Sequence, residues 1–157
     1  MSNIKRMTVS KNIVLSASAD AVWEIVADWG GVAKWFPKGE PGSNLVECKL
    51  VGDKKTLPLT RILVLDSGME VAETLTLRDD GRKRVQYALG DGVFPGIFNY
   101  SGFQTVDAEG PDSARLTLTV SFDLDAPDAD PEAVRSQFEG MFEHVIFPGI
   151  SAYIAAK

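Results

Sequence analysis

Apolar residues recur at every second position in seven segments of the chain, and this alternation predicts β-strands that each bury one face. The first segment carries Val9, Ile13 and Leu15, and the clearest runs from Leu116 to Leu124. Strands with a single apolar face form an antiparallel sheet that is covered on one side only. The five segments between them are 46–50, 59–65, 71–77, 85–89 and 98–106. In the third and the fifth of these, the side chains of Leu77 and Phe98 are expected to point inward.

After the first strand the spacing of apolar residues changes from that of a strand to that of a helix. Val22, Val26 and Trp29 predict one helical face, and a serine or an aspartate just upstream can cap the helix. Paired glycines end it. A second short helix is predicted at Val32–Phe36, where Pro37 stops it.

A long amphipathic helix is predicted at the C-terminal end, with Asp130 as its cap and Pro131 in its first turn. Its apolar stripe consists of Val134, Phe138, Met141, Phe142 and Val145. Pro148 removes a helical hydrogen bond and is expected to bend this helix, either to widen a cavity or to follow the surface of the domain. Strands and helices that are segregated along the chain predict an α+β fold, in which this helix covers the sheet.

Length and composition indicate one folded domain over residues 1–157. The chain is 45% hydrophobic and 24% charged, which is ordinary for a globular protein. Lys and Arg number 16 and Asp and Glu number 22, so the net charge is −6. Because this charge repels nucleic acid and anionic lipid alike, neither is an expected partner.

The sequence also lacks the usual signs of export, membrane insertion and cofactor binding. Cys48 is the only cysteine, and the chain start has no apolar stretch of the secretory kind. No apolar run approaches the roughly 20 residues that span a bilayer. Neither metal-ligand spacing nor a phosphate-binding loop is present, so we expect no metal and no cofactor. These features favour a cytoplasmic protein, either a monomer or a homodimer.

Two opposite charges are predicted to lie side by side on the inner face of the sheet. Arg61 shares the parity of Leu59 and Leu63, while Glu73 has apolar neighbours two residues away on each side. A three-residue hairpin loop at 66–68 would place Arg61 directly opposite Glu73. One interpretation is a structural ion pair. The other is that Glu73 is a general base and Arg61 binds a developing anion, such as an enolate or phenolate.

Three further side chains are candidate acids or ligand contacts. Tyr87 and Tyr100 have inward parity, so each either packs in the core or orients a ligand oxygen. His144, the only histidine, lies on the predicted C-terminal helix about 110° from the middle of its apolar stripe, between the buried and the exposed faces. It is either a half-exposed helix residue or an acid–base group at a cavity rim.

Two groups of residues follow an order found in a known family. The first is Ala21-Val22-Trp23, Asp28 and Trp35-Phe36-Pro37. The second is Thr60-Arg61-Ile62-Leu63, Gly68, Glu73-Thr74-Leu75, Asp80, Arg84, Tyr87, Pro95 and Tyr100. With these residues the chain resembles the bacterial polyketide cyclase/dehydratase-like proteins of the START/Bet v 1-like superfamily. The resemblance implies a helix-grip fold, in which a curved antiparallel sheet of seven strands wraps around the C-terminal helix and encloses a cavity. It also implies a hydrophobic or aromatic small-molecule ligand.

Two functions remain open on the sequence. The first is a cofactor-free acid–base enzyme, such as a cyclase, dehydratase, isomerase or lyase, with Glu73, Arg61, Tyr87, Tyr100 and His144 as catalytic residues. The second is a carrier or sensor that binds a similar molecule without changing it. In either case the predicted cavity lining, which is also compatible with plain core packing, is Trp35, Phe36, Phe94, Phe98, Phe138, Met141 and Phe142.

Overall fold

Seven antiparallel strands form one curved sheet in the computed structural model, which describes residues 3–157. The strands are β1 (Lys5–Leu15), β2 (Leu45–Val51), β3 (Leu59–Leu65), β4 (Glu70–Asp79), β5 (Arg84–Leu89), β6 (Ile97–Gly110) and β7 (Ser113–Leu124). Their order across the sheet is β1-β7-β6-β5-β4-β3-β2, so the first two strands lie at opposite edges. This arrangement confirms the predicted α+β class and the helix-grip architecture.

The helices lie between β1 and β2 and after β7. They are α1 (Ala19–Ala27), a 3₁₀ turn (Val32–Lys34), α2 (Pro131–Met141), a π-helical turn (Phe142–Ile146) and α3 (Phe147–Ala155). Ser18 caps α1, since its side chain accepts a hydrogen bond from the Ala21 amide, and Asp130 caps α2 in the same way. The second predicted helix is therefore shorter than expected, a single 3₁₀ turn.

The core fills the space between the concave face of the sheet and the helices. In β7 every second residue is buried, from Leu116 at 0% exposure to Leu124 at 4%, and these side chains face the helices. Phe138 and Phe142, from the C-terminal helical segment, are buried against the same face. Burying a large apolar side chain of this kind contributes roughly 1.5–3 kcal/mol, which is why the alternation in the sequence fixes this face as the inner one.

A π-helical turn precedes Pro148 in the C-terminal helix, at the place where the sequence predicts a bend. The Phe147 amide bonds to the Phe142 carbonyl five residues back, which is the π pattern, and α3 begins at Phe147. Because Pro148 has no amide hydrogen, the His144 carbonyl loses its usual helical donor. The chain accommodates this loss with one wide turn just before the proline.

Four β-bulges shift strands away from the simple alternation. Extra residues at Val46, Thr76, the segment 99–100 and Glu109 break the register of β2, β4 and β6. The inward positions predicted for Phe98 and Leu77 are therefore wrong: both lie on the outer face, at 38% and 40% exposure.

Candidate functional site

The hairpin of β3 and β4 has the register that the sequence predicted. Gly68 adopts a left-handed conformation (φ +87°), and the Leu65 amide donates to the Met69 carbonyl at 2.9 Å. The loop is thus three residues long, and Arg61 lies opposite Glu73. The sequence-based juxtaposition of these two charges is confirmed.

The Arg61–Glu73 contact is a close and nearly dry ion pair. Nε and Nη2 of Arg61 both lie 2.5 Å from the same oxygen, Oε2 of Glu73. Only 9% of the Arg61 side chain and 14% of the Glu73 side chain are exposed. Charge-assisted bonds of this kind are short and strong, and the pair leaves Oε1 of Glu73 outside the ion contact.

Trp29, just beyond α1, completes the surroundings of Arg61. The guanidinium carbon lies 3.6 Å from the centroid of the Trp29 ring, and Nη1 donates to the Trp29 carbonyl at 3.3 Å. In return, Nε1 of Trp29 donates to the Glu73 carbonyl at 3.4 Å. The guanidinium therefore stacks on the Trp29 ring, pairs with Glu73 and donates to the Trp29 carbonyl. These contacts attach the residues that follow α1 to the sheet.

Tyr87 lies next to this group and is buried. Its ring centroid is 5.4 Å from that of Trp29, and the ring packs against Gly102 of β6, where any Cβ would overlap it. Its hydroxyl reaches the side chains of Tyr100 and Gln104. Burial raises the pKa of both tyrosines well above the usual value, and the nearby Glu73 carboxylate raises each pKa further. Both phenols are thus neutral hydrogen-bond donors at ordinary pH.

Aromatic side chains fill the space between this group and the C-terminal helix. Phe138 of α2 lies 5.0 Å from Phe122 and 5.9 Å from Tyr100, measured between ring centroids. Phe94 packs edge-on against Phe138 at 5.8 Å. Phe142 is 1% exposed. Phe94, Phe138 and Phe142 were predicted to line a cavity; here they are part of the packed core.

The remaining predicted site residues are dispersed. His144 is exposed on the π-helical turn and does not line either cavity described below. Trp35 and Phe36 are half-buried, and the Trp35 carbonyl packs against Gly149 of α3. Met141 is half-buried at the edge of the core. Phe98 is on the outer face of the sheet, so its predicted contact with an internal ligand is wrong.

A cleft of about 1340 Å³, here called the α1 cleft, lies between α1 and the strands β2, β3 and β4. Its apolar wall consists of Trp23, Trp29, Leu50, Leu57, Leu59 and Leu75. Charged side chains of α1, of the β2–β3 loop and of the β4–β5 turn line the remainder. Trp29 separates this cleft from Arg61, because the same ring lines the cleft and stacks on the guanidinium. A smaller cavity of about 320 Å³ lies beside α1, near Trp35 and Tyr153.

Two residues near the site were missed by the sequence argument. Gln104 has the parity of Tyr100 and Val106, so its inward position was available from the alternation alone. Cys48 lines the α1 cleft, and burial raises the pKa of its thiol. The stacking of Trp29 on Arg61 had no local signal, because it depends on how α1 packs against a distant hairpin.

Within residues 3–157, no cluster of three or more His, Cys, Asp or Glu side chains is arranged to hold a metal ion. In the same part of the chain, no helix combines the length and apolar character that crossing a membrane requires.

The fold and the buried polar group define a helix-grip protein whose concave sheet face holds an ion pair within an aromatic layer. Residues 6–146 match the family described as polyketide cyclase/dehydrase and lipid transport, and the chain belongs to this family. The family is one of hydrophobic-ligand-binding proteins. No curated protein matches the chain.

Solved structures with similar folds include bacterial and plant proteins. A START superfamily protein from Mycobacterium smegmatis is 18% identical with a TM-score of 0.72, covering 95% of this chain and 97% of its own. A Thermobifida fusca protein solved by NMR is 23% identical with a TM-score of 0.71, covering 93% and 92%. Norcoclaurine synthase from Thalictrum flavum, in complex with dopamine and hydroxybenzaldehyde, is 19% identical with a TM-score of 0.71, covering 98% and 88%. At these identities the likeness concerns the fold.

Proposed function

We propose that this protein binds a hydrophobic small molecule in the α1 cleft and acts as its carrier or sensor. The observation that supports this proposal is the cleft itself, which offers about 1340 Å³ beside a wall of tryptophan and leucine side chains. Small-molecule sites typically enclose about 300–1,000 Å³ and have mainly apolar walls with a few polar groups. The cleft therefore has room for a metabolite of ordinary size.

The contacts that Arg61 already makes favour binding over catalysis. A residue that stabilises a developing anion needs donors aimed at the reacting oxygen. Here three of the five N–H donors are engaged, those of Nε and Nη2 with Glu73 and one of Nη1 with the Trp29 carbonyl, and the Trp29 ring covers the guanidinium face. The group holds α1 against the sheet, and a ligand in the α1 cleft would meet Trp29 instead of the charges.

A cofactor-free acid–base enzyme is a second candidate, favoured by a separate observation. Oε1 of Glu73 lies outside the ion contact, and two neutral phenols, Tyr87 and Tyr100, are close enough for the carboxylate to raise their pKa. A base and neutral donors in one apolar site could move a proton next to a carbonyl. Dopamine and hydroxybenzaldehyde in norcoclaurine synthase illustrate oxygenated aromatic molecules bound by a protein of this fold.

One experiment separates the two candidates. The purified protein is incubated with a metabolite extract, and bound and free fractions are analysed by mass-resolved chromatography over time. A carrier retains a compound in proportion to the protein and releases it unchanged on denaturation. An enzyme produces a new mass that grows with time and is absent with Arg61→Met/Glu73→Leu.

The place of binding is tested by a matched pair of surface variants. Leu57 lines the cleft at 45% exposure, whereas Val46 is exposed at 66% on the neighbouring strand and does not line it. Leu57→Asn should lower the affinity for the retained compound about tenfold, since the apolar contact between this side chain and the ligand is lost. Val46→Asn should leave it unchanged. Equal behaviour of the two variants, or no retained compound, would contradict the proposal.

A further inference from the structure

Charged side chains at the mouth of the α1 cleft are distributed unevenly. The cleft is lined by five basic residues and four acidic ones: Lys34, Lys54, Lys55, Arg78 and Lys83 against Asp20, Glu24, Asp28 and Asp80. The whole chain, by contrast, has a net charge of −6. The cleft is therefore a place of positive excess on an acidic protein.

Most of these charges already neutralise one another. The three ion pairs are Lys34–Asp28 at 2.7 Å, Lys83–Asp20 at 3.0 Å and Arg78–Asp80 at 2.9 Å. Within residues 3–157, neither Lys54 nor Lys55 takes part in an ion pair. The positive excess thus resides in these two adjacent lysines.

The loop that carries the two lysines also carries part of the apolar wall. Lys54 and Lys55 lie between β2 and β3, and Leu57 follows two residues later with 45% of its surface exposed. The carboxylate of Asp53 in the same loop accepts the Lys55 amide at 2.9 Å, so it serves the backbone turn. Moving inward from the lysines, the wall continues to Leu59, which is 6% exposed.

We propose that the ligand of the α1 cleft is an amphipathic anion, whose head group is held by Lys54 and Lys55 and whose apolar body lies along Leu57, Trp23 and Leu59. This inference rests on the proposed function, because it assigns a chemical class to the ligand of the same cleft. The head group is a carboxylate or a phosphate, both of which accept bonds from lysine ammonium groups. Glu24, on the opposite wall, belongs to none of the ion pairs of the cleft and repels an anion from that side.

The test uses three probes with the same twelve-carbon chain, namely dodecanoate, dodecyl phosphate and dodecanol, each below its micelle-forming concentration. Binding to the full chain is measured by calorimetry at low salt. Each exposed charge contact is worth about fivefold in affinity at most, so we expect the anions to bind roughly tenfold more tightly than the alcohol. Because the contacts are exposed, this advantage should shrink in high salt. The tighter of the two anions identifies the head group.

Matched variants attribute the preference to the loop. Lys54→Ala/Lys55→Ala should abolish the advantage of the anions and leave dodecanol binding unchanged. Lys5→Ala/Lys38→Ala removes the same charge from exposed positions outside the cleft and should keep the advantage. Equal affinities for the alcohol and the anions in the unaltered protein, or equal losses in the two double variants, would overturn the inference.

Failure of the inference is distinguishable from failure of the proposed function. If dodecanol binds and Leu57→Asn weakens it, the cleft is a hydrophobic site whatever the head-group preference. If none of the three probes binds, and the metabolite extract also yields no retained compound, both are overturned. Tighter binding of dodecyltrimethylammonium than of dodecanoate would overturn the anionic class alone.

Discussion

Two kinds of substitution at the Arg61–Glu73 pair should lower the free energy of unfolding by very different amounts. Glu73→Gln keeps the shape but leaves a buried guanidinium without its counter-charge, which typically costs about 3–5 kcal/mol of unfolding free energy. Arg61→Met/Glu73→Leu removes both charges and should cost much less, because well-packed apolar replacements of a buried pair are often neutral. Urea unfolding measures both values.

The exposed pair Arg115–Glu109 supplies the control for this comparison. Its side chains are 39% and 40% exposed, so Glu109→Gln should change the unfolding free energy by less than about 1 kcal/mol. An equally small loss for Glu73→Gln would mean that water reaches Arg61 in solution.

The two buried phenols give a prediction at alkaline pH. Because the pKa of Tyr87 and of Tyr100 is raised in the folded protein, their contribution to stability is complete below the unfolded value of about 10 and is lost as the pH rises towards the folded value. At pH 11 the folded protein should show no tyrosinate absorbance from either residue. Tyr87→Phe/Tyr100→Phe should therefore leave the absorbance of the folded protein unchanged and lower it only after unfolding. A decrease in the folded state would show that the phenols are accessible.

Among the strands and helices, the sequence predicted what local periodicity encodes and missed what depends on distant packing. The alternation in β3 and β4 and the three-residue loop between them were sufficient to place Arg61 opposite Glu73. The bulges were missed because one inserted residue reverses the face of a strand without altering its composition. Asn99, which adopts φ +50°, lies in one of them. The α1 cleft was missed because α1 meets the β2–β3 loop only in the folded chain.

The docking of α1 on the β4–β5 turn gives a prediction at acid pH. The Asp80 carboxylate accepts bonds from Arg78 at 2.9 Å and from Nε1 of Trp23 at 3.0 Å, and these two donors lower its pKa. Since the folded pKa is lowered, the stabilisation is complete above the unfolded value of about 3.9 and is lost as the pH falls through the folded value. Asp80→Asn should therefore reduce the drop in Tm between pH 6 and pH 3.

Trp23→Phe tests the same contact from the other side. It keeps the ring in the core and deletes one donor, so the pKa of Asp80, followed by carboxyl NMR, should move back towards its usual value. An unchanged Asp80 pKa in this variant would mean that Arg78 alone sets it and that the indole does not anchor α1 through Asp80.

At the scale of the whole molecule, α1 and the residues just after it connect the α1 cleft to the buried ion pair. Trp23 and Trp29 form part of the cleft wall, and Trp29 also covers Arg61 and contacts Tyr87. Any ligand in the α1 cleft therefore contacts Trp29, the residue that covers the buried ion pair. If α1 and the sheet unfold as one cooperative unit, ligand binding stabilises both; if α1 is loosely attached, ligand binding stabilises α1 alone.

Unfolding followed by two probes decides between these alternatives and tests the prediction that residues 1–157 form one domain. The three tryptophans, Trp23, Trp29 and Trp35, all lie in or just after α1, so their fluorescence reports on that region. Far-UV circular dichroism reports mainly on the sheet and the C-terminal helices. We expect both signals to change at the same urea concentration, because the Arg61–Trp29 and Trp23–Asp80 contacts bind α1 to the sheet. A fluorescence transition at lower urea would show that α1 detaches first, and the ligand site would then be formed by a separately unfolding segment.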